Sequence, residues 1–360
     1  MIAAYDARLS LGSYRGMGRY LRMLISGRET ELLGLCSKGE SDPTLRTAGA
    51  GFGPYPLWEQ FSLPRMLARH GCRILLAPYN TAPVLLPRRV SLVLVIHDLI
   101  FLEPIQNLGL SRSVYQSAGR FYRRAVISPA VRRAQHVLTV SEYTKQQIIQ
   151  RYSIPLDKIR VIPNSLGLEW FDHQGACSHR EKVIFMVSGE APSKNLACAL
   201  EAFALYRRQV SHQQHVLRIA GVKSSAHARF RAIASRLQIE GAVEFLPYLN
   251  EAELREQYRK AELFLMPSLM EGFGIPVLEA MASGTPVAVS NVTSLPEVAG
   301  PAAQYFDPRD PREMASTIAA VLQDSDRRED MICAGYRQAA KFHPYQVRGL
   351  VHRFWDDVLQ

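Results

Sequence analysis

Two carboxylates stand eight residues apart in Glu271-Gly-Phe-Gly-Ile-Pro-Val-Leu-Glu279, one just before a double-glycine turn and one inside the helix that Pro276 opens. Gly272 and Gly274 flank Phe273, so backbone amides can approach a ligand with no Cβ in the way, and the helix aims its positive end at the same place. Anionic or hydroxyl-rich ligands suit such a spot. Glu279, roughly one turn into the helix, lies too far along to share one small group with Glu271. Two different parts of one ligand are the natural targets. Taken alone, the turn is equally an ordinary strand-to-helix connection with a capping acid.

Other residues join this set. Ser188-Gly-Glu-Ala-Pro-Ser193-Lys194-Asn195 follows a strand and opens a helix, so amides and the Lys194 ammonium could hold a phosphate there. A lone lysine is otherwise a solvated surface residue. Gly16-Met-Gly18-Arg19 is a second glycine loop before a helix, a partial nucleotide-loop pattern. His97 ends the apolar run Ser91–Ile96 and so sits at a sheet edge, where it can donate to a sugar hydroxyl or bond a neighbouring carbonyl. Ser141 and Ser294 read as helix caps, Ser294-Leu-Pro-Glu297 matching the Ser-x-x-Glu capping box.

The elements that must position these residues alternate between short apolar runs and longer helical patterns, the signature of parallel α/β layers. Strands are expected near 1–5, 31–36, 73–77, 91–96, 136–140 and 158–162, then near 183–188, 215–220, 242–246, 262–266 and 286–289. Helices are expected near 17–27, 60–70, 111–133 and 142–152, then near 194–210, 224–238, 250–259 and 275–283. Residues 166–182 break the rhythm and read as a linker between a first domain, 1–165, and a second, 183–341; residues 342–360 have amphipathic spacing and read as a closing helix packing back on the first domain. Two doubly wound domains would place a ligand cleft between the carboxyl ends of their sheets.

With 360 residues, 47% hydrophobic and 21% charged, the chain can bury two cores. Its amino terminus lacks a basic-then-apolar signal pattern, and its apolar stretches stay far below the ~18 residues of a membrane span. The five cysteines (36, 72, 177, 198 and 333) are scattered and never form Cys-x-x-Cys, which fits a reduced cytosol and argues against zinc or a disulfide frame. Residues 1–170 carry 22 Lys/Arg against 11 Asp/Glu, net +11, and residues 171–360 carry 21 against 22, net −1. Arg112, Arg120, Arg123, Arg124, Arg132 and Arg133, interleaved with Tyr115, Phe121 and Tyr122, could lie on an anionic membrane surface or form a solvated helix face. No nucleic-acid module accompanies the charge.

The ordered set Asp6-Ala-Arg8, Gly16-x-Gly18-Arg19-Tyr20, His97-Asp98-Leu99, Val140-Ser-Glu-Tyr-Thr144, Val161-Ile-Pro-Asn164, Ser193-Lys-Asn195, Pro267 through Glu279 and Gly284-Thr-Pro286 resembles the retaining glycosyltransferases of the GT-B fold, family four. Within that family the chain is most similar to bacterial mannosyltransferases of surface-polysaccharide assembly. The resemblance implies two Rossmann-like domains, the first binding acceptor and the second a nucleotide sugar. It gives Glu271 the donor hexose with the Gly272, Phe273 and Gly274 amides nearby, Glu279 the ribose hydroxyls, Ser193 and Lys194 the diphosphate, and His97 a place beside the transferred sugar. Gly16 and Gly18 match the loop that approaches the phosphates.

Family members pair that lysine with an arginine on the same loop, and residues 185–200 contain none; Arg8, Arg15, Arg19 and Lys223 are the candidates to replace it. The expectation is a cytoplasmic hexosyltransferase, peripheral on the inner face of the plasma membrane, moving mannose from GDP-mannose to a lipid-linked saccharide. No metal or other cofactor is expected. A sugar-nucleotide epimerase or hydrolase on the same scaffold, or a non-catalytic donor-binding protein, is the alternative.

Overall fold

Strands such as Ser91–Ile96 and Ala261–Met266 are apolar along nearly their whole length and buried on both faces, a pattern that only a parallel sheet covered by helices on each side satisfies. The computed structural model, which describes residues 2–12, 16–51, 53–104, 114–172, 180–210 and 215–359, shows this arrangement twice. The chain divides into two compact units, Met1–Ser165 with Tyr345–Gln360, and Leu166–Pro344.

The first unit contains β1 (Ala3–Asp6), β2 (Leu33–Cys36), β3 (Thr47–Gly49), β4 (Ile74–Ala77), β5 (Ser91–Ile96), β6 (His136–Thr139) and β7 (Ile159–Val161), in the spatial order β3-β2-β1-β4-β5-β6-β7. All neighbours are parallel. The second holds β8 (Glu181–Val187), β9 (Val216–Ala220), β10 (Val243–Phe245), β11 (Ala261–Met266), β12 (Val287–Ser290) and β13 (Ala303–Phe306), ordered β10-β9-β8-β11-β12-β13, again all parallel. Strand order reverses between β1 and β4 in one sheet and between β8 and β11 in the other. Each reversal leaves a crevice at the carboxyl ends of the two strands, because the connecting helices depart in opposite directions.

Each sheet has its own core. Trp58, Leu63, Leu67, Leu94, Ile127 and Val131 pack in the first, and Ile184, Phe203, Leu217, Leu265, Phe306 and Ile318 in the second. The helix Pro344–Leu359 belongs to the first unit. Val347, Val351, Phe354 and Trp355 are buried, and Trp355 Nε1 donates to the Leu24 carbonyl at 2.7 Å. Arg28–Asp356 and Arg160–Asp357 pairs edge the same helix and, being exposed, contribute little.

Three expectations need correction. The edge strands β3 and β13 were not anticipated; Thr-Ala-Gly and Ala-Gln-Tyr-Phe lack the apolar run that marks a strand buried on both faces. Of the segment read as a linker, Leu168–Trp170 is a turn whose indole is buried against Tyr258, centroids 5.9 Å apart, and residues 181 and 182 already belong to β8. Residues 173–179 of that segment, and Arg112 and Arg15, lie outside the described residues. Gly16 and Gly18 stand within the first turn of the helix Gly16–Ile25 rather than in a loop ahead of it.

Candidate functional site

In the second unit, the chain leaving β8 turns through Pro192–Lys194 and enters the helix Leu196–Gln209 by way of Asn195, whose φ of 56° reverses the backbone. The Asn195 amide donates to the carbonyls of Pro267 at 3.0 Å and Pro308 at 2.7 Å, and the Leu269 amide donates to the Ser193 carbonyl at 2.8 Å. Those bonds lace the turn after β8 to the turn after β11 across the crevice where strand order reverses. Lys194 therefore lies before the helix, on the laced turn, and not within its first turn.

Its ammonium reaches across that crevice to Glu271. Lys194 Nζ lies 2.6 Å from Glu271 Oε1, with side chains 30% and 13% exposed. The backbone of Glu271 is fixed from the turn beyond β12. Its N–H donates to Thr293 Oγ1 at 3.2 Å, and the Ser294 hydroxyl sits 3.1 Å from the Glu271 carbonyl and 3.0 Å from that of Phe273, sharing one proton between them. Phe273 turns its ring inward against Phe342, centroids 5.5 Å apart, while Gly272 stays half-buried. Gly274 begins the helix Ile275–Ala282 with φ 105°, and a Cβ there would fall 2.7 Å from Leu295 Cδ2. That turn needs glycine both for conformation and for space.

Glu279, one turn into this helix, is only 5% exposed and accepts the Tyr258 hydroxyl at 2.8 Å. Tyr258 is fully buried among Phe185, Phe264 and Trp170. Burial first, and the adjacent carboxylate second, push its ionisation far above the ordinary tyrosine range, so it remains a donor.

Ser188, just past β8, has a buried Oγ with no hydrogen bond among the described residues, and Gly221 beyond β9 approaches so closely that a Cβ would meet the Ser188 carbonyl at 2.6 Å. Lys223, two residues on, is exposed at the start of the helix Ser224–Arg236.

In the first unit, His97 follows β5. Its Nε2 lies 2.8 Å from the Pro78 carbonyl, which can only accept, so Nε2 carries the proton; its backbone N–H donates to Asn80 Oδ1 at 2.6 Å. Burial lowers its pKa to about 4, so the ring is neutral at physiological pH. The donor expected for a sugar hydroxyl is thus already engaged, and Nδ1 is left as an acceptor. The carbonyl-bonded alternative describes this ring.

Ser141 caps Glu142–Tyr152 as expected, accepting the Thr144 N–H at 3.1 Å. Ser294 does not cap its helix: its backbone is already helical, φ −81° and ψ −8°, and its hydroxyl serves the Glu271 turn instead. Thr293, Ser294 and Tyr258 are the site residues that sequence reasoning missed. Only Ser294 gave a signal, and that signal pointed to another role.

Residues 23–170 match the family model described as Glycosyltransferase Family 4, and residues 171–338 match the one described as Glycosyl transferases group 1. The chain belongs to this glycosyltransferase family. The chain is 32% identical over 218 residues to O-antigen chain mannosyltransferase B of Escherichia coli, an alignment covering 58% of this chain and 57% of that protein. It is also 32% identical over 207 residues to O-antigen chain mannosyltransferase RfbU of Salmonella typhimurium, covering 58% and 56%. The match thus spans just over half the length of these relatives. In structure it resembles HepE of Anabaena, solved in complex with UDP and glucose, with a TM-score of 0.76, 17% identity and coverage of 99% and 100%. That likeness establishes the GT-B fold.

Proposed function

We propose that this glycosyltransferase moves a hexose, mannose from GDP-mannose, onto a lipid-linked saccharide with retention of anomeric configuration. The observation that carries the reading is the Lys194–Glu271 pair across the β8/β11 crevice, beside the glycine turn at the start of Ile275–Ala282. When the bond to the nucleotide breaks, negative charge grows on the diphosphate and positive charge on the sugar ring. In this reading Lys194 and the turn amides meet the first, and fixed groups that stabilise developing charge are usually the largest single contribution to lowering such barriers. Glu271 holds sugar hydroxyls, and Glu279, oriented by Tyr258, accepts ribose hydroxyls. Neither His97, a neutral acceptor, nor any other step in this scheme requires a metal.

Mannose is supported by the relatives named as mannosyltransferases; the solved HepE complexes hold UDP, UDP and glucose, or UDP-glucose instead. The deciding experiment is a thermal-shift and turnover series with GDP-mannose and UDP-glucose. Selective stabilisation by the GDP sugar, with mannose appearing on a polyprenyl-diphosphate saccharide, is the expected result. Selective stabilisation by the UDP sugar overturns the donor. Free sugar or an isomer formed from donor alone points to the hydrolase or epimerase alternative.

The acceptor's lipid would lie at the cytoplasmic face of the membrane, with the protein bound peripherally. No helix among the described residues is long and apolar enough to cross a bilayer. Support for peripheral binding comes from charge: residues 104–141 contain no acid. However, Arg120 and Arg124 donate to carbonyls of residues 101–103, and Arg133 to those of Pro87 and Val90. The cations open to lipid in this region are the exposed Arg65, Arg88, Arg89 and Arg132, alongside exposed Phe61, Leu85 and Phe121. Each basic residue near anionic lipid contributes about 1 kcal/mol. Salt-sensitive binding to phosphatidylglycerol vesicles is expected, and salt-independent binding or none removes this part of the reading.

A further inference from the structure

The second sheet holds a lysine at its strand-order reversal; the first holds an arginine at its own. Arg8 lies two residues beyond Asp6, the last residue of β1, beside the β1/β4 crevice. Its guanidinium is held in place on two sides. Nη2 donates to the Gly53 carbonyl at 2.6 Å, and the planar group lies over the Trp58 ring at 5.6 Å from its centroid. Another nitrogen of the group is different: Nη1 is buried and has no acceptor among the described residues.

No carboxylate among the described residues forms a direct ion pair with this cation, although Asp6 lies close enough to feel its charge. Asp6 is the nearest in sequence, but its Oδ1 accepts the Arg8 backbone N–H at 3.0 Å and its Oδ2 faces the Tyr55 hydroxyl at 2.9 Å. That same hydroxyl lies 2.9 Å from Glu59 Oε1, which also accepts from Thr81 at 2.6 Å, while Glu59 Oε2 accepts from Tyr122 and Gln60. Tyr55 has one proton for two acids, and Glu59 has three further donors. Burial, and then the Glu59 charge, raise the Asp6 carboxyl to about 7, against the pull of the Arg8 charge, and burial raises Glu59 as well. Arg8 forms no salt bridge among the described residues. A buried N–H of a charged group left without an acceptor costs roughly 1–3 kcal/mol or more, and a fixed fork over an aromatic ring suits an oxyanion.

We propose that Arg8 is a phosphate-binding residue, its Nη1 edge taking an oxygen of a phosphate or diphosphate at the β1/β4 crevice. Among the described candidates for the arginine missing from residues 185–200, it is the one whose donor is buried, immobilised and unpaired. The identity of the phosphate rests on the transferase reading above: it belongs either to the nucleotide donor or to the lipid diphosphate of the acceptor. Binding of a phosphate as such does not rest on that reading.

Calorimetric titration of the full chain with inorganic pyrophosphate tests it, on the wild type, Arg8→Gln, Arg8→Lys and Lys194→Gln. We expect Arg8→Gln to weaken pyrophosphate binding at least 10-fold with its melting temperature within a few degrees of wild type. Arg8→Lys, which keeps the charge and the stem over Trp58 but loses the fork, should weaken it to a lesser degree, and this variant serves if Arg8→Gln fails to fold. Unchanged pyrophosphate affinity in a folded Arg8 variant overturns the proposal, as does loss confined to Lys194→Gln. Two further arms separate the sources. A parallel loss of GDP affinity assigns the phosphate to the donor; intact GDP affinity with a raised KM for a polyprenyl-diphosphate saccharide assigns it to the acceptor. Because pyrophosphate binding is read without turnover, a protein that transfers no sugar would still sustain this result.

Discussion

Replacing Glu271 by glutamine separates two roles that one carboxylate plays. Lys194 has an anionic partner, Glu271, 2.6 Å away, so a diphosphate competes with that carboxylate for the ammonium. Two charges near a protein surface attract by about 4 kcal/mol at 4 Å with an effective dielectric near 20. Lys194, however, is 30% exposed, and pairs open to solvent measure about 0.2–1 kcal/mol. The upper end applies here, because Glu271 is only 13% exposed. Glu271→Gln should therefore tighten binding of GDP itself by up to about 5-fold. The sugar should lose by more: a hydrogen bond to a charged group is worth about 1.5–3 kcal/mol, so the preference for GDP-mannose over GDP should shrink roughly 10- to 150-fold. Calorimetric titration of both ligands into both proteins measures each quantity, and raised salt should erase the GDP gain. Weaker GDP binding in the variant, or an unchanged ratio between the ligands, refutes the competition between carboxylate and diphosphate.

Other expectations come from named contacts. Tyr258→Phe keeps the ring among Phe185, Phe264 and Trp170 but removes the donor to Glu279, and should cost about 1–3 kcal/mol in stability or nucleotide affinity; no change in either by denaturation and titration would mean the bond is idle. Gly274→Ala forces φ 105° on an L residue and a contact 2.7 Å from Leu295, and should lower the melting temperature and abolish donor binding; a wild-type melting curve would contradict this. Burial holds the His97 pKa near 4, below the usual 6.5, so the unfolded chain binds the extra proton between those values. Stability should fall as pH drops below about 6.5, and His97→Gln should flatten that slope in urea unfolding measured from pH 4 to 7. Glu262, buried in part, is held below its ordinary value because the His215 ring donates to it at 2.7 Å. Its contribution is present above the usual glutamate range and disappears as pH falls through the lowered value; Glu262→Gln should remove that acid dependence.

Much of the fold was legible because its central strands are unambiguous. Ser91–Ile96 and Ala261–Met266 carry the apolar run that a doubly covered strand requires, and the glycine and proline punctuation around 272–276 fixes where the next helix begins. The edge strands β3 and β13 offered no such run, since half of their surface is free to be polar. Within the site, the types and order of Lys194, Glu271 and Glu279 were readable, but not their partners. Ser294 shows why: Ser-x-x-Glu is a cap only where the serine backbone is extended, and Thr293, at φ 58°, has already turned the chain so that the hydroxyl points back to Glu271 and Phe273. Tyr258 and Trp58 act on residues 21 and 50 positions away in sequence, and no local pattern encodes a meeting of that kind.

The terminal helix Pro344–Leu359, seated through Trp355 on the Leu24 carbonyl, makes the second unit an insert within the first. Chimaeras that exchange donor specificity between relatives would then be cut twice, after Ser165 and after Pro344, with the last helix left with its native host. A single crossover at 165 would graft a foreign helix into a groove shaped for Val347, Val351, Phe354 and Trp355, and the hybrid's failure would reflect that mismatch rather than any incompatibility of chemistry.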